Sequence, residues 1–326
     1  MRYFLTGATG FVGGRLARRL LDEGHEVAVL VRRPEDAVDL AELGADVYSG
    51  DITDKESMRE PMSGTDGVFH LAAWYRVGAH DSTLAEAVNV EGTRNVLELV
   101  DELGIPKAVY TSTLAVNSDT KGILVDEEYR FDGEHLSVYD ETKWRAHYEV
   151  AEPMAQEGLP LVTVMPGVVY GPGDTSQLRE VWVDWLRGDL PVVPRETAYC
   201  WSHVDDVAEA HVLAMVRGDP GEEYIVAGEP HTLVEAFDVA SEIVGRKPPR
   251  AISPRWFRAL SRVASVAERV VSLPENYSSE ALRVLGGTTY LGDNAKAKRE
   301  LGLEHRPFET GLRETLEHEQ RELGLS

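Results

Sequence analysis

Short apolar segments alternate with longer amphipathic ones in the first half of the chain. The apolar segments have the length of β-strands and comprise residues 3–6, 26–31, 46–51, 67–73, 108–113 and 161–165. Between them apolar side chains recur every three or four residues, as Leu16 and Leu20 do, which predicts amphipathic helices. Strands and helices that alternate six times, at intervals of roughly 20 to 40 residues, predict an α/β fold with a doubly wound parallel sheet.

The pattern changes after Met165. A crossing rich in glycine and proline spans residues 166–174, and the segments beyond it are mostly helical in pattern, with one further apolar segment at residues 223–226. We therefore predict a Rossmann domain at residues 1–165 and a smaller, mostly helical lobe at residues 166–326 that closes on a substrate. Segments around residues 201–226 are candidates for packing back on the first domain.

Charge limits the partners. The chain has 326 residues, of which 33 are basic and 56 acidic, for a formal net charge of −23. Nucleic acids and anionic membrane surfaces are bound through a positive face, so we expect neither as a partner. The 7 lysines are far fewer than the 26 arginines. A lysine shortage beside an acidic excess suits a protein kept soluble in concentrated salt, so we hypothesise a halophilic source.

The sequence indicates a cytoplasmic protein. Cys200 is the single cysteine, so no internal disulfide can form. We expect no signal peptide, because residues 1–6 run into an apolar strand without a charged leader, and no membrane span, because no apolar run reaches about 18 residues. The most apolar stretch, residues 256–273, contains arginines and a glutamate, so we predict an amphipathic helix that packs on its own domain.

Three glycines follow the first strand. Gly7, Gly10 and Gly13 separate it from the helical pattern around Leu16. A strand, G-x-x-G-x-x-G and a helix in that order are typical of the turn that binds a dinucleotide. Gly7 would permit the tight turn, Gly10 the approach of a pyrophosphate, and Gly13 close packing of the helix. The N–H groups at the start of the helix would then bind the phosphates.

The second strand ends in Arg32 and Arg33. An NAD enzyme usually has an acidic residue here, which accepts a hydrogen bond from the ribose 2′-hydroxyl. Two arginines suit the 2′-phosphate of NADP instead, unless both are merely solvated. We therefore predict NADP as the cofactor, with NAD as the alternative.

The next two strands end in further candidates. Asp51 would accept a hydrogen bond from the adenine amino group or cap the turn near Thr53. His70 lies within an apolar segment and is interpreted as a core histidine. Ala72 and Ala73 follow it and are small enough to let a cofactor pass. We predict no metal site.

Tyr139 and Lys143 are the candidates for chemistry. Four residues apart in a predicted helix at residues 137–157, they share one face. A lysine ammonium beside a phenol lowers a pKa that is about 10 in water, so the tyrosine can exchange a proton near neutral pH. An isolated pair of this kind is more often a solvated helix face. Here Thr113, at the end of the fifth strand, and the glycine turn accompany the pair.

With these residues in this order, the chain resembles the extended short-chain dehydrogenase/reductases, the NAD(P)-dependent epimerase/dehydratase family. The matching motifs are T-G-A-T-G-F-V-G from residue 6, H-L-A-A from residue 70, Y-x-x-x-K from residue 139, V-Y-G-P-G-D from residue 169 and H-V-D-D-V-A from residue 203. The resemblance covers nearly all of the chain. Residues 221–248 are most similar to the dihydroflavonol-reductase branch and its bacterial relatives that resemble sugar epimerases.

The resemblance implies roles for the matched positions. Tyr139 would be the general acid/base, Lys143 would hold the nicotinamide ribose and tune Tyr139, and Thr113 would hydrogen-bond the substrate oxygen. The residues implied to bind the cofactor are Gly7, Thr9, Gly10, Phe11, Val12, Gly13, Arg32, Arg33, Asp51, Ile52, Leu71, Ala72, Ala73, Asn89, Thr111, Tyr139, Lys143, Pro166 and Val168. A homodimer is implied as well, through the long helices predicted at residues 81–100 and 137–157.

The activity implied by the resemblance is hydride transfer between a nicotinamide and a carbinol or ketone carbon of a small molecule. Met165 stands where many sugar epimerases of the family have an arginine, which favours a reductase over a nucleotide-sugar epimerase or dehydratase with tightly bound NAD. A regulator that binds NADP without turnover is a third alternative, disfavoured because Tyr139 and Lys143 occur together. His203 and Asp205 either contact substrate or only cap and anchor the helix that begins there.

Overall fold

A parallel sheet organises the first half of the protein. The computed structural model describes residues 1–76, 82–268 and 278–325. The strands in these residues are, in chain order, Arg2–Thr6 (β1), Glu26–Val31 (β2), Asp46–Ser49 (β3), Gly67–His70 (β4), Ala108–Thr111 (β5), Leu161–Pro166 (β6), Val168–Tyr170 (β7), Val192–Pro194 (β8), Ala198–His203 (β9), Glu223–Val226 (β10), Pro230–Thr232 (β11), Arg250–Ile252 (β12) and Thr289–Tyr290 (β13). Seven of them form one sheet in the order β10-β6-β5-β4-β1-β2-β3. Its direction of winding reverses between β1 and β4, which confirms the predicted doubly wound α/β fold.

Helices cover both faces of this sheet and build most of the second half. In the same described residues they are, in chain order, Phe11–Asp22 (α1), Val38–Glu42 (α2), Lys55–Met62 (α3), Ser82–Ala85 (α4), Gly92–Glu102 (α5), Val138–Arg145 (α6), Glu152–Gln156 (α7), Gln177–Arg187 (α8), Val204–Arg217 (α9), Leu233–Val244 (α10), Pro254–Ala267 (α11), Ser279–Val284 (α12) and Phe308–Glu322 (α13). Two π-helical segments, Glu86–Glu91 and Ala146–Ala151, join α4 to α5 and α6 to α7. The two long helices predicted from the sequence are therefore each interrupted by a π-helical segment, and Asp81 lies outside the described residues.

The strands are apolar on both sides because both sides are covered. Leu5 belongs to the layer that packs against α1 and α9, whereas its neighbour Phe4 belongs to the layer that packs against α3 and α5. Both side chains are fully buried. Side chains that alternate between two buried layers explain why these strands appear in the sequence as continuous apolar runs.

Two elements from the second half complete the sheet domain. β10 pairs with β6, with Tyr224 opposite Val164, and α9 packs on α1. The remaining strands form a smaller sheet around β9, which pairs with β7, β11 and β13, and a two-stranded sheet of β8 and β12. An aromatic core that includes Trp182, Trp201 and Phe308 joins these elements to the surrounding helices.

The amphipathic helix predicted at residues 256–273 is observed as α11, and residues 269–273 lie outside the described part. The Ser261 hydroxyl donates to the Ser279 carbonyl at 2.7 Å, which ties one side of α11 to α12. Apolar side chains on another side are exposed, so the expectation that this helix packs on its own domain holds for one face only. Among the described helices, none has the length and apolar character to cross a bilayer.

Candidate active site

The glycine turn connects β1 to α1. Gly7 has a φ of +77°, and the Gly10 N–H donates to the Gly7 carbonyl at 2.9 Å. A Cβ on Gly13 would lie 2.1 Å from that carbonyl oxygen, so α1 can approach the turn only with glycine at this position. Thr9 and Gly10 are exposed, whereas Phe11 and the next residue of α1 are partly buried.

The start of α1 fits an anion. No side chain caps the helix at Gly10, and its first turn contains no acidic residue. The N–H groups of the first turn, from Phe11 and Val12 onward, have no acceptor within the helix. Free N–H groups and the positive end of the helix dipole together form a site for a phosphate, so the residues present suit the pyrophosphate of a dinucleotide.

The end of β4 packs directly against this turn. The Thr6 hydroxyl oxygen accepts hydrogen bonds from the N–H groups of Leu71 and Ala72, both at 3.2 Å. A Cβ on Gly7 would lie 2.7 Å from the Ala72 nitrogen. The structure therefore brings Leu71 and Ala72 next to the glycine turn, and Ala73, which follows them, is exposed.

His70 is a core residue, as interpreted from the sequence. It is 1% exposed, and its ring nitrogens hydrogen-bond the hydroxyls of Thr6 at 2.8 Å and Thr93 at 3.0 Å. Burial, with a smaller effect of the Lys143 charge, lowers the pKa of His70 to about 3. The imidazole is therefore neutral at neutral pH.

The two arginines after β2 differ in their surroundings. Both are exposed, but the Arg33 guanidinium donates to Asp36 Oδ2 at 2.9 Å and forms an ion pair with it. Arg32 pairs with no acidic side chain in the part of the chain that the structure describes. Of the two, Arg32 is the one whose charge is available to a ligand.

Asp51 caps a turn, which is one of its two predicted roles. Its Oδ1 accepts hydrogen bonds from the N–H and the hydroxyl of Thr53, both at 2.9 Å. α3 begins only at Lys55. Ile52 is 5% exposed, and its side chain is part of the hydrophobic core under α3 and α5.

Asn89 joins the loop after β4 to the helix of the Tyr–Lys pair. Its Oδ1 accepts from the Trp74 N–H at 2.7 Å, and its Nδ2 donates to the Trp74 carbonyl at 3.1 Å and the Thr142 hydroxyl at 2.9 Å. The side chain is 1% exposed and lies in the π-helical segment between α4 and α5. Its carboxamide is thus occupied by protein contacts, and its predicted contact with the cofactor remains a prediction.

Lys143 is a buried cation directed at β5. Its Nζ donates to the Tyr110 hydroxyl at 2.9 Å and the Thr111 carbonyl at 2.8 Å, and the side chain is 2% exposed. Burial lowers the pKa of Lys143 to about 7, because the charged form loses its water. The ammonium is therefore only partly charged at neutral pH.

Thr113 lies beside Tyr139, and its hydroxyl oxygen accepts a hydrogen bond from the Ala115 N–H at 3.2 Å. Burial raises the pKa of Tyr139 above its ordinary value, and the polar side chain of Thr113 opposes this rise only in part. The expectation that Lys143 lowers the pKa of Tyr139 is therefore not met, because the ammonium is directed at Tyr110 and Thr111. The phenol of Tyr139 keeps its proton at neutral pH.

The remaining predicted residues lie on β5, β6 and β7. His211 Nδ1 donates to the Val207 carbonyl at 2.7 Å, so its Nε2 is the acceptor for the Thr111 hydroxyl, also at 2.7 Å. The Thr111 hydroxyl is thus turned toward α9. Pro166 ends β6, and Val168 pairs with Trp201 in the smaller sheet.

Three residues near Tyr139 were missed in the sequence. The Tyr75 ring packs edge-on against the Tyr139 ring, with centroids 4.8 Å apart. Asp140 Oδ2 accepts a hydrogen bond from the Tyr290 hydroxyl at 2.9 Å. Asp140 lies inside the Y-x-x-x-K motif and Tyr75 two residues after H-L-A-A, so both positions were visible, but nothing in the sequence indicated that Tyr290 meets them.

His203 and Asp205 anchor α9. His203 Nδ1 accepts from the Asp205 N–H at 3.2 Å, which caps the helix, and the His203 side chain is 1% exposed. The Asp205 carboxylate lies 3.7 Å from Arg15 and 3.6 Å from Arg306. The structure thus shows His203 as a cap and Asp205 in ion pairs, which is one of the two alternatives, and a contact of either residue with substrate stays a prediction.

Comparisons with known proteins agree with this geometry. The model of the NAD-dependent epimerase/dehydratase family matches residues 3–227. A Synechocystis protein provisionally named dihydroflavonol 4-reductase is 33% identical over 312 residues, which cover 92% of this chain and 89% of that protein. The 4-hydroxy-2-methyl-3-oxo-4-farnesyl-3,4-dihydroquinoline-1-oxide ketoreductase of Stigmatella aurantiaca is 33% identical over 319 residues, covering 93% and 91% of the two chains.

A solved structure extends the similarity to epimerases. A Thermotoga maritima UDP-glucose 4-epimerase with UDP-glucose has a TM-score of 0.78 at 25% identity, covering 99% of this chain and 100% of that one. The chain belongs to the NAD-dependent epimerase/dehydratase family, as its motifs indicated. It is an NAD(P)-dependent enzyme of the extended short-chain dehydrogenase/reductase type.

Proposed function

We propose that this enzyme is a reductase that uses NADPH to reduce a ketone or aldehyde of a small molecule, and that can oxidise the corresponding carbinol. The observation that carries the proposal is the position of Thr113 beside Tyr139, one helical turn before the buried Lys143. Two neighbouring hydroxyls at the carboxyl edge of a parallel sheet can together bind a carbonyl oxygen, and one of them can protonate it.

The protonation state of Tyr139 favours the reducing direction. Because burial raises the pKa of Tyr139, its hydroxyl carries a proton to donate to the alkoxide that develops on the substrate oxygen. Thr113 would donate a second hydrogen bond to the same oxygen and so stabilise its charge. The reduced nicotinamide, when bound, supplies the hydride. Lys143 would bind the ribose hydroxyls and contribute part of a positive charge close to the reaction.

NADP is proposed as the cofactor because of Arg32. An exposed guanidinium without an acidic partner among the described residues is suited to a 2′-phosphate, which it can bind through two parallel hydrogen bonds. Arg33 is a weaker candidate, because Asp36 already occupies its guanidinium.

The surroundings of Tyr139 support a substrate with an apolar or aromatic part. Tyr75 packs against the Tyr139 ring. The Stigmatella aurantiaca relative is named for a farnesylated substrate, which agrees with an apolar substrate class. The alternative, a nucleotide-sugar epimerase with tightly bound NAD, is supported by the similarity to the UDP-glucose 4-epimerase structure.

We further propose a homodimer, formed through the helices at residues 82–102 and 138–156. Sedimentation at increasing protein concentration tests this state directly. A halophilic source is proposed from the charge of the chain.

The nucleotide that the purified protein carries distinguishes reductase from epimerase. We expect little nucleotide to be released on denaturation, because a reductase exchanges its cofactor in every cycle. The empty protein should then bind NADPH more tightly than NADH in a fluorescence titration. Stoichiometric NAD(H) released from the protein would contradict the proposal and favour the epimerase.

A further inference from the structure

α11 carries an apolar face that the described residues leave exposed. Its large side chains are exposed by 66% (Trp256), 51% (Leu260), 66% (Val263) and 63% (Val266). Spacings of four, three and three residues place them side by side on one face of the helix. Single exposed apolar residues are ordinary on a protein surface, but a contiguous apolar stripe indicates a binding surface.

The rest of the helix is firmly packed. Phe257, Ser261 and Ala264 are buried on the side that faces α12. The Ser253 hydroxyl caps the helix by accepting from the Arg255 N–H at 3.4 Å. The apolar stripe is therefore presented by an ordered, capped helix.

α11 is positively charged in a strongly acidic chain. It contains Arg255, Arg258 and Arg262 and no acidic residue, whereas the formal net charge of the chain is −23. All three arginines are exposed, and none forms an ion pair with an acidic side chain in the described part of the protein. Their spacing places them in a row along one edge of the apolar stripe. A tryptophan-containing apolar face flanked by arginines is the composition of helices that lie in a membrane interface.

We propose that α11 docks the protein on the surface of a bilayer that contains anionic phospholipids. The apolar stripe would enter the interface, and the arginines would bind lipid phosphates, which guanidinium groups recognise through paired hydrogen bonds. A second copy of the chain fits this face less well, because a symmetric contact between two α11 helices would bring rows of unpaired arginines together. The proposal does not rest on the function proposed above.

This proposal revises the expectation, drawn from net charge, that an anionic membrane surface is not a partner. Charges on a protein surface act over about 10 Å at 0.1 M salt, so a membrane in contact with α11 experiences the arginines more than distant carboxylates. The local charge of the docking face, and not the sum over the chain, decides the interaction.

Flotation of the full-length protein with vesicles tests the proposal. The vesicles are made of phosphatidylcholine alone or of equal parts phosphatidylcholine and phosphatidylglycerol. We expect the wild type to float with the mixed vesicles several-fold more than with phosphatidylcholine, and Trp256 emission to be quenched by brominated lipid. A Trp256→Ser/Leu260→Ser variant should float at least about tenfold less. A Leu43→Ser/Val216→Ser variant, which removes side chains that are 51% and 69% exposed elsewhere, should float like the wild type.

The arginine contribution is tested separately. An Arg258→Gln/Arg262→Gln variant should lose the preference for phosphatidylglycerol, and molar KCl should remove that preference from the wild type because salt screens it. Melting temperatures close to the wild type would show that each variant is folded. The proposal is overturned if the wild type floats with neither vesicle, or if the Trp256→Ser/Leu260→Ser variant floats as well as the wild type. It is also overturned if that variant only lowers the oligomer size in solution, which would identify a second copy as the partner.

Discussion

The Tyr290 hydroxyl donates a hydrogen bond to Asp140 Oδ2 at 2.9 Å, across 150 residues of sequence. Asp140 also accepts from the Ser137 hydroxyl at 2.8 Å, and its side chain is 3% exposed. It directly follows Tyr139 in the first turn of α6. β13, late in the chain, thus fixes the start of the helix that carries both Tyr139 and Lys143.

Removing this contact should affect turnover more than cofactor binding. Tyr290→Phe removes one hydrogen-bond donor from the buried Asp140 carboxyl group. We expect this loss to lower the free energy of unfolding by about 1 to 3 kcal/mol. We expect a lower melting temperature and several-fold lower turnover, with the dissociation constant for NADPH little changed. Tyr199→Phe is the matched control, because Tyr199 stacks on Tyr290 at 6.0 Å and its hydroxyl makes no hydrogen bond within the described chain. Equal losses in both variants would show that the bond to Asp140 has no special role.

Asp140 should also make stability depend on pH. Burial raises the pKa of Asp140 to about 7, whereas a carboxyl in an unfolded chain has a pKa of about 3.9. Between these values the folded protein retains a proton that the unfolded chain releases, so this group lowers the free energy of unfolding as the pH rises from about 4 to about 7.

The substitution Asp140→Asn isolates this effect, because the amide does not titrate. In urea denaturation at a series of pH values, the variant should gain stability relative to the wild type between pH 4 and pH 7. The difference should then stay constant at higher pH. A difference that does not vary with pH would mean that Asp140 is ionised in the folded protein.

Arg32 should determine the preference for NADPH. Arg32→Ser removes a charged partner of the 2′-phosphate, so we expect about ten- to a hundredfold weaker binding of NADPH and unchanged binding of NADH. Arg33→Ser provides the comparison, since the Arg33 guanidinium already pairs with Asp36. If Arg33→Ser loses more of the preference for NADPH over NADH than Arg32→Ser does, the assignment to Arg32 is wrong.

Concentrated salt should stabilise the protein. The formal net charge is −23, so the excess acidic side chains repel one another in dilute buffer, and molar KCl screens that repulsion. We expect the melting temperature and the activity to increase from dilute buffer to molar KCl. Sucrose stabilises proteins without screening charge and therefore serves as the control. Maximal stability in dilute buffer would contradict a halophilic source.

The sheet and the glycine turn could be predicted because each has a local signature. β1 and β2 lie between two layers of helices, so their residues are continuously apolar. Glycine is required at position 13 because a Cβ there would collide with the nearby Gly7 carbonyl. It is required at position 7 because a Cβ there would collide with the backbone that follows β4. β10 was recognised as an apolar segment, but its pairing with β6 depends on contacts distant in sequence.

The arrangement of the site was harder to predict because it depends on distant partners. The spacing of Tyr139 and Lys143 predicts that the two residues share a helix face. It does not predict that Lys143 Nζ is directed at Tyr110 and Thr111. The contact of Asp140 with Tyr290 joins residues that no local pattern connects. The π-helical segments have no signature in the apolar spacing, although one of them contains Asn89.

Turnover of the Tyr139→Phe variant tests the central claim most directly. The variant and the wild type are compared in NADPH-dependent reduction of a panel of ketones and aldehydes, with Tyr75→Phe as the control for the neighbouring ring. Tyr139→Phe should bind NADPH normally but turn over at least about 10²-fold more slowly, because its ring has no proton to donate. Tyr75→Phe should remain within a few-fold of the wild type. Turnover of Tyr139→Phe close to the wild-type value would contradict the assignment of Tyr139 as the acid.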